Sequence, residues 1–412
     1  MWLLEHFLRQ LVRTGTLTVI DAKGRPFVFG DGGTPNVTVR LKTRVLHWKL
    51  FFNPELHAGE AYMDGTLAVE SGSIYDFLDL MGRNLSNIPK WSIRRAIFKL
   101  QLLFRRVHQF NPVSRARKNV AHHYDLSGRL YELFLDRDRQ YSCAYFARDN
   151  DDLETAQENK KRHIAAKLLP RKGQRVLDIG SGWGGLALTL ARSFEVEVTG
   201  TTLSEEQWKA AKDRAEEAEL SNRVRFLLRD YRELTGRYDR IVSVGMFEHV
   251  GIGHYDTFFR KVRELLTDDG VALLHTIGRS DGPGVTSPWV RKYIFPGGYI
   301  PALSEIMSSV ERSGLVTTDI EVLRLHYAKT LRCWRENFLA QWNTVAEMYD
   351  ERFCRMWEFY LAGSEIAFRH MGLVVFQVQL ARRQDAAPLT RDYIGEAERR
   401  LAEARDPSRQ AA

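Results

Sequence analysis

The sequence predicts an α/β protein, in which a doubly wound, Rossmann-like sheet with a helical insertion is joined to a smaller N-terminal α+β domain. From residue 170 onward, β-type runs alternate with helical stretches, which is typical of a parallel sheet covered by helices on both faces. The chain has 412 residues, of which 44% are hydrophobic, enough for two domains of unequal size. The predicted boundaries are 1–110 for the small domain with a basic helix, 111–383 for the sheet domain and 384–412 for a charged tail.

The small domain begins with an amphipathic helix over 1–12, whose Glu5 and Arg9 argue against a secretion signal. Short β-type runs at 16–20, 26–29 and 37–41 follow, separated by glycine and proline turn signals. In the sheet domain, strands are expected at 175–179, 196–199, 224–228, 239–244 and 271–275, and runs near 317–323 and 373–380 could complete the sheet. The segment 334–369 is an insertion long enough to wall a pocket, and the tail is expected to be a loosely attached helix or disordered.

Charge is concentrated in the first third of the chain. The protein has 60 Lys and Arg against 52 Asp and Glu, a net charge of +8, yet residues 1–120 alone contain 18 basic and nine acidic side chains. Residues 82–124 contain ten Lys and Arg and no acid, which indicates a nucleic acid or an acidic membrane as partner. Apolar residues at helical spacing over 93–107 predict a helix that lies on lipid or, equally, has a solvated basic face.

Several classes of protein are disfavoured. Cys143, Cys333 and Cys354 have neither the even number of a disulfide framework nor the spacing of a zinc site, so we expect no metal and a reducing cytoplasm. No run of eighteen apolar residues occurs in the sequence, so no membrane-spanning helix is expected.

A glycine turn follows the first predicted strand of the sheet. Gly180, Gly182 and Gly185 satisfy the G-x-G-x-x-G pattern, which lets a nucleotide approach the backbone at a helix N-terminus. Asp178 lies just ahead of the turn, where a carboxylate suits the cationic amino-acid part of S-adenosylmethionine better than a pyrophosphate. The next strand ends in Gly-Thr-Thr-Leu-Ser, without the acid that a dehydrogenase uses to bind ribose. The turn therefore favours a methyltransferase.

The sequence resembles the cyclopropane-fatty-acyl-phospholipid synthases, which are related to the mycolic acid cyclopropane synthases. The motifs that carry the resemblance cover nearly the whole chain except the tail; they include His-Tyr-Asp-Leu at 123–126, Tyr-Ser-Cys-Ala-Tyr-Phe at 141–146, the turn at 178–185, Asp-Tyr-Arg at 230–232, Phe-Glu-His-Val-Gly at 247–251, His-Thr-Ile-Gly at 275–278 and Gly-Glu-Ala-Tyr-Met-Asp-Gly at 59–65. One departure is that Ser127-Gly128 stands where the family usually has Gly-Asn, in a loop expected to close over the cofactor.

The resemblance implies a class I methyltransferase that adds the methyl of S-adenosylmethionine to cis-unsaturated acyl chains of membrane phospholipids. It also implies a lipid-binding N-terminal domain, a homodimer, and a cytoplasmic enzyme held peripherally on the anionic inner membrane surface by the basic stretch. Cofactor contacts are expected at Tyr141, Ser142, Asp178, Gly180, Gly182, Gly184, Thr202, Leu203, Gln207, Asp230, Tyr231 and Arg232. A bicarbonate is expected on the Cys143 backbone, Glu248, His275, Ile277 and Tyr327.

The chemistry of ring closure explains why a bicarbonate site is expected. Methylation of an alkene leaves a carbocation, and ring closure requires a base to remove a proton from the added methyl. A bicarbonate would serve as that base, with Glu248 accepting from its hydroxyl and His275 and Tyr327 donating to its oxygens. Glu248 and His275 follow or end consecutive predicted strands, where ligands bind in this fold class. Cys143 is expected to act through its backbone, and His249 to lie behind the base.

Three alternatives remain at this point. The same cation could lose another proton or shift a hydride and give a methylene- or methyl-branched chain. A nucleic-acid methyltransferase would use the basic stretch as a phosphate track, but no base-binding loop or nucleic-acid module is recognised. A lipid-transfer protein with a vestigial catalytic domain is disfavoured by the intact catalytic motifs. Chain length, double-bond position and headgroup are left open.

Overall fold

The computed structural model describes residues 1–87 and 127–403, which pack into two compact units. The first contains the residues up to 87 together with Val285–Pro296 and Leu331–Leu373, and the second contains residues 127–284, Gly297–Thr330 and the chain from Val374. The predicted insertion thus packs with the N-terminal segment. The basic helix over 93–107, the motif at 123–126 and the last residues, 404–412, lie outside the described residues.

The first unit contains a four-stranded sheet in the order β2-β1-β3-β4. Strand β1 pairs parallel with β3, while β2 and β4 pair antiparallel with β1 and β3. The three predicted strands are confirmed, whereas β4 was not predicted. The elements of this segment are α1 (Trp2–Leu11), β1 (Thr16–Ile20), β2 (Pro26–Gly30), β3 (Asn36–Leu41), α2 (Arg44–Phe52), α3 (Pro54–Met63), β4 (Leu67–Ser71) and α4 (Ile74–Asn84).

The core of this unit lies between the sheet and α1. Residues Val37, Val39 and Leu41 alternate along β3 toward the core, as the two-residue period of a strand requires. The helices of the later segments are α10 (Pro288–Tyr293), α12 (His326–Ala340), of which the part from Leu331 belongs to this unit, α13 (Trp342–Met348) and α14 (Glu351–His370). Buried polar contacts join α14 to this segment, including Tyr62 Oη donating to Glu358 at 2.5 Å.

The second unit contains a seven-stranded sheet in the order β10-β11-β9-β8-β5-β6-β7, and it confirms the predicted doubly wound α/β class. Strands β5 to β9 pair parallel to one another, and β10 pairs antiparallel to β11. The strands are β5 (Arg175–Ile179), β6 (Glu197–Thr202), β7 (Val224–Leu228), β8 (Tyr238–Val244), β9 (Leu266–Arg279), β10 (Val316–Leu323) and β11 (Leu373–Ala381). All seven predicted runs are therefore strands of one sheet.

Helices cover both faces of this sheet, which is why its central strands are buried almost continuously. Two apolar clusters form the core, one around Leu177 and Phe258 and the other around Val176 and Leu190. The helices are α5 (Gly128–Phe134), α6 (Leu153–Leu168), α7 (Gly185–Phe194), α8 (Glu205–Glu217), α9 (Tyr255–Leu265), α11 (Leu303–Ser313) and α15 (Asp392–Glu403).

The described part of the tail is a helix fixed by an ion pair. On α15, Glu398 contacts Nδ1 of the buried His163 at 2.6 Å, and the other ring nitrogen contacts Glu321 on β10 at 2.7 Å. The expectation of loose attachment or disorder is therefore wrong for Asp392–Glu403, because the sequence did not show that α6 carries a buried histidine. Within residues 1–87 and 127–403, no helix combines the length and apolar character that crossing a membrane requires.

Candidate active site

A cleft opens in the second unit where the strand order reverses. Strands β5 and β8 are neighbours, but the chain continues from them toward opposite edges of the sheet, and ligands bind in this fold class at the carboxyl ends of such strands. The cleft is lined by the turn after β5, the end of β6, the loop after β7, the residues after β8 and the segment 139–142. Eleven of the twelve predicted cofactor residues line it: Tyr141, Ser142, Asp178, Gly180, Gly182, Thr202, Leu203, Gln207, Asp230, Tyr231 and Arg232.

The glycine turn forms the floor of the cleft. Gly180 has a φ of +82°, and a Cβ there would lie 2.7 Å from Cβ of Met246, so a larger residue does not fit. Above Gly182, also at positive φ, no atom lies within 4 Å of a Cβ position, which leaves space for a ligand. Gly184 is not a lining residue. Its Cβ position is 2.7 Å from the Phe226 ring, so its role is to let α7 pack closely.

A buried carboxylate lies beside this turn. Asp178 on β5 is buried, and its Oδ2 has no hydrogen-bond partner among the described residues. Burial raises the pKa of Asp178 to about 7, although the charge of Lys160 opposes this shift. An unpartnered buried carboxylate is costly in the empty protein but favourable for a cationic ligand group.

Lys160 on α6 is a buried cation in the same cleft, and the sequence did not single it out. Its Nζ donates to Oε1 of Gln140 at 2.7 Å and to Oγ of Ser142 at 2.8 Å. Burial lowers its pKa to about 8, although Asp136 raises it. Lys160 therefore fixes Ser142, a predicted cofactor residue, and places a positive charge near Asp178.

The end of β6 presents polar groups to the cleft. Oγ1 of Thr202 donates to Oε1 of Gln207 at 2.9 Å and accepts from the Ser204 amide at 3.2 Å. Because the Gln207 carbonyl is occupied, its amide NH₂ is the group left for a ligand. The turn itself is held against this strand by hydrogen bonds from the Gly180 and Ser181 amides to the Thr201 carbonyl.

The loop after β7 carries a bidentate ion pair. Arg232 donates through Nε and Nη2 to the two carboxylate oxygens of Asp230, at 2.8 and 2.7 Å. Tyr231, which lies between Asp230 and Arg232 in the sequence, is buried against Phe258 and also lines the cleft. Since both Asp230 oxygens already accept from Arg232, this pair gives the loop a fixed shape.

The five predicted catalytic residues are not among those that line the cleft, but three of them lie next to residues that do. Glu248 directly precedes His249, Cys143 directly follows Ser142, and His275 pairs with Val244 in the sheet. The Glu248 carboxylate is buried; its Oε1 accepts from the Ile277 amide at 2.6 Å, and its Oε2 has no partner among the described residues. Burial raises the pKa of Glu248 to about 7, although backbone hydrogen bonds lower it. The structure thus brings Glu248 and Ile277 together.

His275 lies on β9 opposite Val244, the last residue of β8. Nε2 of Gln377 on β11 lies 3.1 Å from His275 Nδ1 and donates to it, which places the ring hydrogen of His275 on Nε2. Burial lowers the pKa of His275 well below its usual value, so the ring is neutral. The Nε2–H group of His275 can therefore act as a hydrogen-bond donor. Gln377 was not predicted.

Cys143 and Tyr327 are connected through the first turn of α12. The Ala144 amide donates to Oγ1 of Thr330 at 3.0 Å, and the Phe146 amide donates to Nδ1 of His326 at 3.0 Å. Tyr327 is buried between these two anchoring residues of α12. Burial raises the pKa of Cys143, so its thiol stays protonated, which agrees with a role for its backbone rather than its sulfur.

Other lining residues were missed or underrated. Trp183, Met246 and Arg139 line the cleft, and the Arg139 guanidinium lies 5.1 Å from the Trp183 ring centroid. His249 also lines it, nearer than expected, and burial lowers its pKa to about 4. The Trp-Gly-Gly run within the glycine turn is a sequence signal for Trp183, while nothing in the pattern indicates Arg139.

The family departure at residues 127–128 is at the start of α5. Ser127 Oγ accepts from the Arg129 amide at 3.3 Å, and the Gly128 amide donates to Oε1 of Glu206 at 2.5 Å. A Cβ at Gly128 would lie 2.9 Å from that same carboxylate oxygen. Because Glu206 precedes Gln207 on α8, this departure bears on the cofactor side of the cleft.

Comparisons with known proteins agree with this geometry. The model of the family described as mycolic acid cyclopropane synthetase matches residues 112–378. A cyclopropane-fatty-acyl-phospholipid synthase of Escherichia coli (strain K12) is 40% identical over 353 residues, which cover 85% of this chain and 89% of the relative. A probable fatty acid methyltransferase of Pseudomonas putida is 37% identical over 361 residues, covering 85% and 88%.

Solved structures are similar in the same region. The cyclopropane synthase MmaA2 from Mycobacterium tuberculosis is 32% identical, with a TM-score of 0.62, and the match covers 66% of this chain and 99% of that protein. The mycolic acid cyclopropane synthase CmaA1 complexed with SAH and CTAB is 33% identical, with the same TM-score and the same coverage of both chains.

Proposed function

This chain belongs to the mycolic acid cyclopropane synthetase family, and we propose that it transfers the methyl group of S-adenosylmethionine to a cis double bond of a phospholipid acyl chain and closes a cyclopropane ring. The observation that carries the proposal is the buried carboxylate of Glu248, one oxygen of which has no partner among the described residues, at the strand edge that also holds the glycine turn and Asp178. A methyl donor and a base are needed side by side for this reaction.

The residues of the cleft fit S-adenosylmethionine, which supplies an electrophilic methyl group on a sulfonium. Asp178 would pair with the ligand ammonium, because its Oδ2 has no other partner in the described structure. The open space above Gly182 and the free amide of Gln207 suit a nucleoside. In this scheme Lys160 holds Ser142 in place for the carboxylate end.

The residues beside the cleft fit a bicarbonate, which would supply the base for ring closure. Ionised Glu248 would accept from its hydroxyl through Oε2, since Oε1 is held by the Ile277 amide. His275 would donate through Nε2, because Nδ1 is occupied by Gln377. Tyr327 and the Cys143 backbone are the remaining predicted contacts, anchored near each other by Thr330. With a small anion as the base, no nucleophilic side chain has to lie close to the methyl donor, where it could itself be methylated.

A second candidate function is suggested by the relatives. The Pseudomonas putida relative is named a probable fatty acid methyltransferase, without a ring in its name. If the cation formed on the acyl chain instead loses a different proton, directly or after a hydride shift within the chain, the product is a methylene- or methyl-branched chain that retains a double bond. The methyl transfer and its site would be the same in both cases.

We further propose that the substrate is an unsaturated phospholipid in an anionic membrane, that the first unit binds the lipid surface and that the enzyme is a homodimer in the cytoplasm. The charge excess of residues 1–120 supports the choice of an anionic surface. Light scattering of the purified protein tests the dimer, and a monomer mass at working concentrations would contradict it.

The experiment that tests the function uses labelled S-adenosylmethionine and vesicles of a cis-unsaturated phospholipid. We expect label in the acyl chains, and mass spectrometry before and after hydrogenation distinguishes a ring, which resists mild hydrogenation, from a methylene group. Glu248→Ala should abolish the transfer and retain cofactor binding, whereas the matched exposed control Glu216→Ala should leave both transfer and cofactor binding unchanged. Unchanged acyl chains with the wild-type enzyme would refute both candidates.

A further inference from the structure

Helix α2 is apolar on both of its sides, although only one side is covered. Leu46 and His47 face the core of the first unit and are buried. Val45, Trp48 and Phe52 follow each other at spacings of three and four residues, so they share the opposite face. These three side chains are 60%, 55% and 70% exposed. A cluster of large exposed apolar side chains rimmed by polar ones marks a surface that contacts a partner or a membrane.

The aromatic part of this face is held in a fixed arrangement. The Trp48 and Phe52 rings are stacked, with centroids 6.2 Å apart and an interplanar angle of 14°. Phe52 also contacts Phe51 edge-on at 5.2 Å, and Phe51 contacts Phe7 of α1 at 6.4 Å. The exposed rings are therefore supported from below by the unit, which lowers the entropy lost when they are buried by a partner.

Three cations accompany this face. Lys42, Arg44 and Lys49 are exposed, and no acidic residue occurs between Asp31 and Glu55. In the parts of the chain that the structure describes, no ion pair engages any of the three. Several other cations of the same unit are paired with acidic side chains, as Arg40 is with Glu70 and Arg9 with Glu5. Among the described residues, Lys42, Arg44 and Lys49 therefore form a cluster of exposed positive charge at α2.

We propose that this outer face of α2, formed by Val45, Trp48 and Phe52 with Lys42, Arg44 and Lys49, docks the enzyme on an anionic phospholipid bilayer. Tryptophan and phenylalanine flanked by cations are the side chains that enter the boundary between headgroups and acyl chains. The inference rests on the proposed function, because an enzyme that acts on phospholipid acyl chains has to meet the bilayer that contains them.

A second copy of the chain fits this face less well. In a two-fold contact through α2, the three cations of one copy would approach the same three of the other, and no acidic side chain from 32–54 is present to compensate. An anionic headgroup layer supplies the opposite charge along the whole face. The charge pattern therefore selects the bilayer over self-association.

The test measures binding of the full-length protein to sedimented vesicles of saturated phosphatidylglycerol and phosphatidylcholine, which contain no double bond to react. Trp48→Ser with Phe52→Ser should weaken partitioning about tenfold or more, because two interfacial rings are removed. Lys42→Glu with Lys49→Glu should weaken it by a similar factor at low salt and little at high salt. The matched controls Val28→Ser, an exposed apolar residue on β2, and Lys23→Glu should leave partitioning unchanged.

Further measurements separate the possible outcomes. Each variant must keep the thermal midpoint of the wild type. If the variant Trp48→Ser with Phe52→Ser, called the ring variant, unfolds, the variant Lys42→Glu with Lys49→Glu alone decides. Unchanged partitioning of the folded variants would overturn the proposal. So would a change from dimer to monomer mass with no change in vesicle binding, because a second copy would then cover α2.

The catalytic assay distinguishes this inference from the proposed function. With a short-chain unsaturated phospholipid below its micelle concentration, the ring variant should transfer methyl groups at the wild-type rate, while on vesicles it should be about tenfold slower or more. If the wild-type enzyme labels neither substrate, the proposed function fails. If the wild type labels both and the ring variant matches it on vesicles, only the docking surface fails.

Discussion

Replacing Glu248 by glutamine should stabilise the protein, and the gain should depend on pH. In the folded protein, burial raises the pKa of Glu248 to about 7 from an ordinary value of 4.5. Ionising this carboxyl in the absence of a ligand is therefore harder in the folded chain than in the unfolded one. Glutamine can still accept from the Ile277 amide, and it never has to ionise.

The sign and size of this stability difference follow from the linkage between proton binding and folding. A carboxyl with a raised folded pKa binds more protons in the folded state between about pH 4.5 and 7, so its contribution to stability falls as pH rises through that window. One pKa unit corresponds to about 1.4 kcal/mol, so the full penalty above pH 7 is about 3 kcal/mol. Between pH 5 and 8, the stability of the variant relative to the wild type should therefore rise by about 2 to 3 kcal/mol.

The assay is denaturant unfolding of both proteins, free of S-adenosylmethionine and bicarbonate, at pH 5 and pH 8, followed by tryptophan fluorescence. Glu216→Gln, on the exposed side of α8, is the matched control and should show no pH-dependent difference. An equal stability difference at both pH values for Glu248→Gln would refute the idea that the unliganded site holds a destabilised carboxylate.

Three further outcomes are expected. Lys160→Met should weaken the binding of S-adenosylhomocysteine, measured by calorimetry, by roughly tenfold, because Ser142 and Gln140 lose their common donor; an unchanged dissociation constant would exclude that role. Substituting glutamine for Arg94, Arg95, Arg105 and Arg106 should reduce the salt dependence of vesicle binding, and an unaltered salt slope would leave the basic stretch without a membrane role. Glu398→Gln should lower the thermal midpoint more at pH 6 than at pH 9. Pairing with Glu321 and Glu398 raises the pKa of the buried His163 although desolvation lowers it, so the stabilisation from charged His163 is lost as pH rises through that raised pKa. A midpoint loss that is equal at both pH values would count against a charged His163.

The sheet was predictable because buried parallel strands leave a strong local signal. The run at 175–179 matches β5, and 224–228 matches β7. Strand β9 was underestimated at both ends, since its first residues include Asp268, Asp269 and Gly270, which are typical of turns. The packing of residues 331–373 with the N-terminal unit was not predictable, because no local pattern records which remote surface an amphipathic helix covers.

The site was predicted in its motifs and missed in its supporting residues. The run of glycines indicated the turn directly, whereas the segment 141–146 was indicated by the resemblance to the family. By contrast, Lys160 lies in a helix whose polar residues resemble a solvated face, yet Gln157, Lys160 and His163 are all buried. Gln377 sits in a strand read as purely apolar, although its side chain fixes the His275 tautomer. Periodicity reports burial only for apolar side chains, so polar residues buried at a site escape it.

Asp178 and Glu248 show how one sheet edge separates two tasks. Both carboxylates are buried, each has one oxygen without a partner in the part of the chain that the structure describes, and burial raises the pKa of each to about 7. They differ in what stands nearby: the Lys160 ammonium opposes the shift at Asp178, whereas backbone amides oppose it at Glu248. Asp178 can thus accept a cationic ligand group although the Lys160 ammonium already lies close to it. Glu248 suits a neutral hydrogen-bond donor such as a hydroxyl. Because each ligand would relieve the penalty of an unpaired buried carboxylate, binding at either position should raise the stability of the protein.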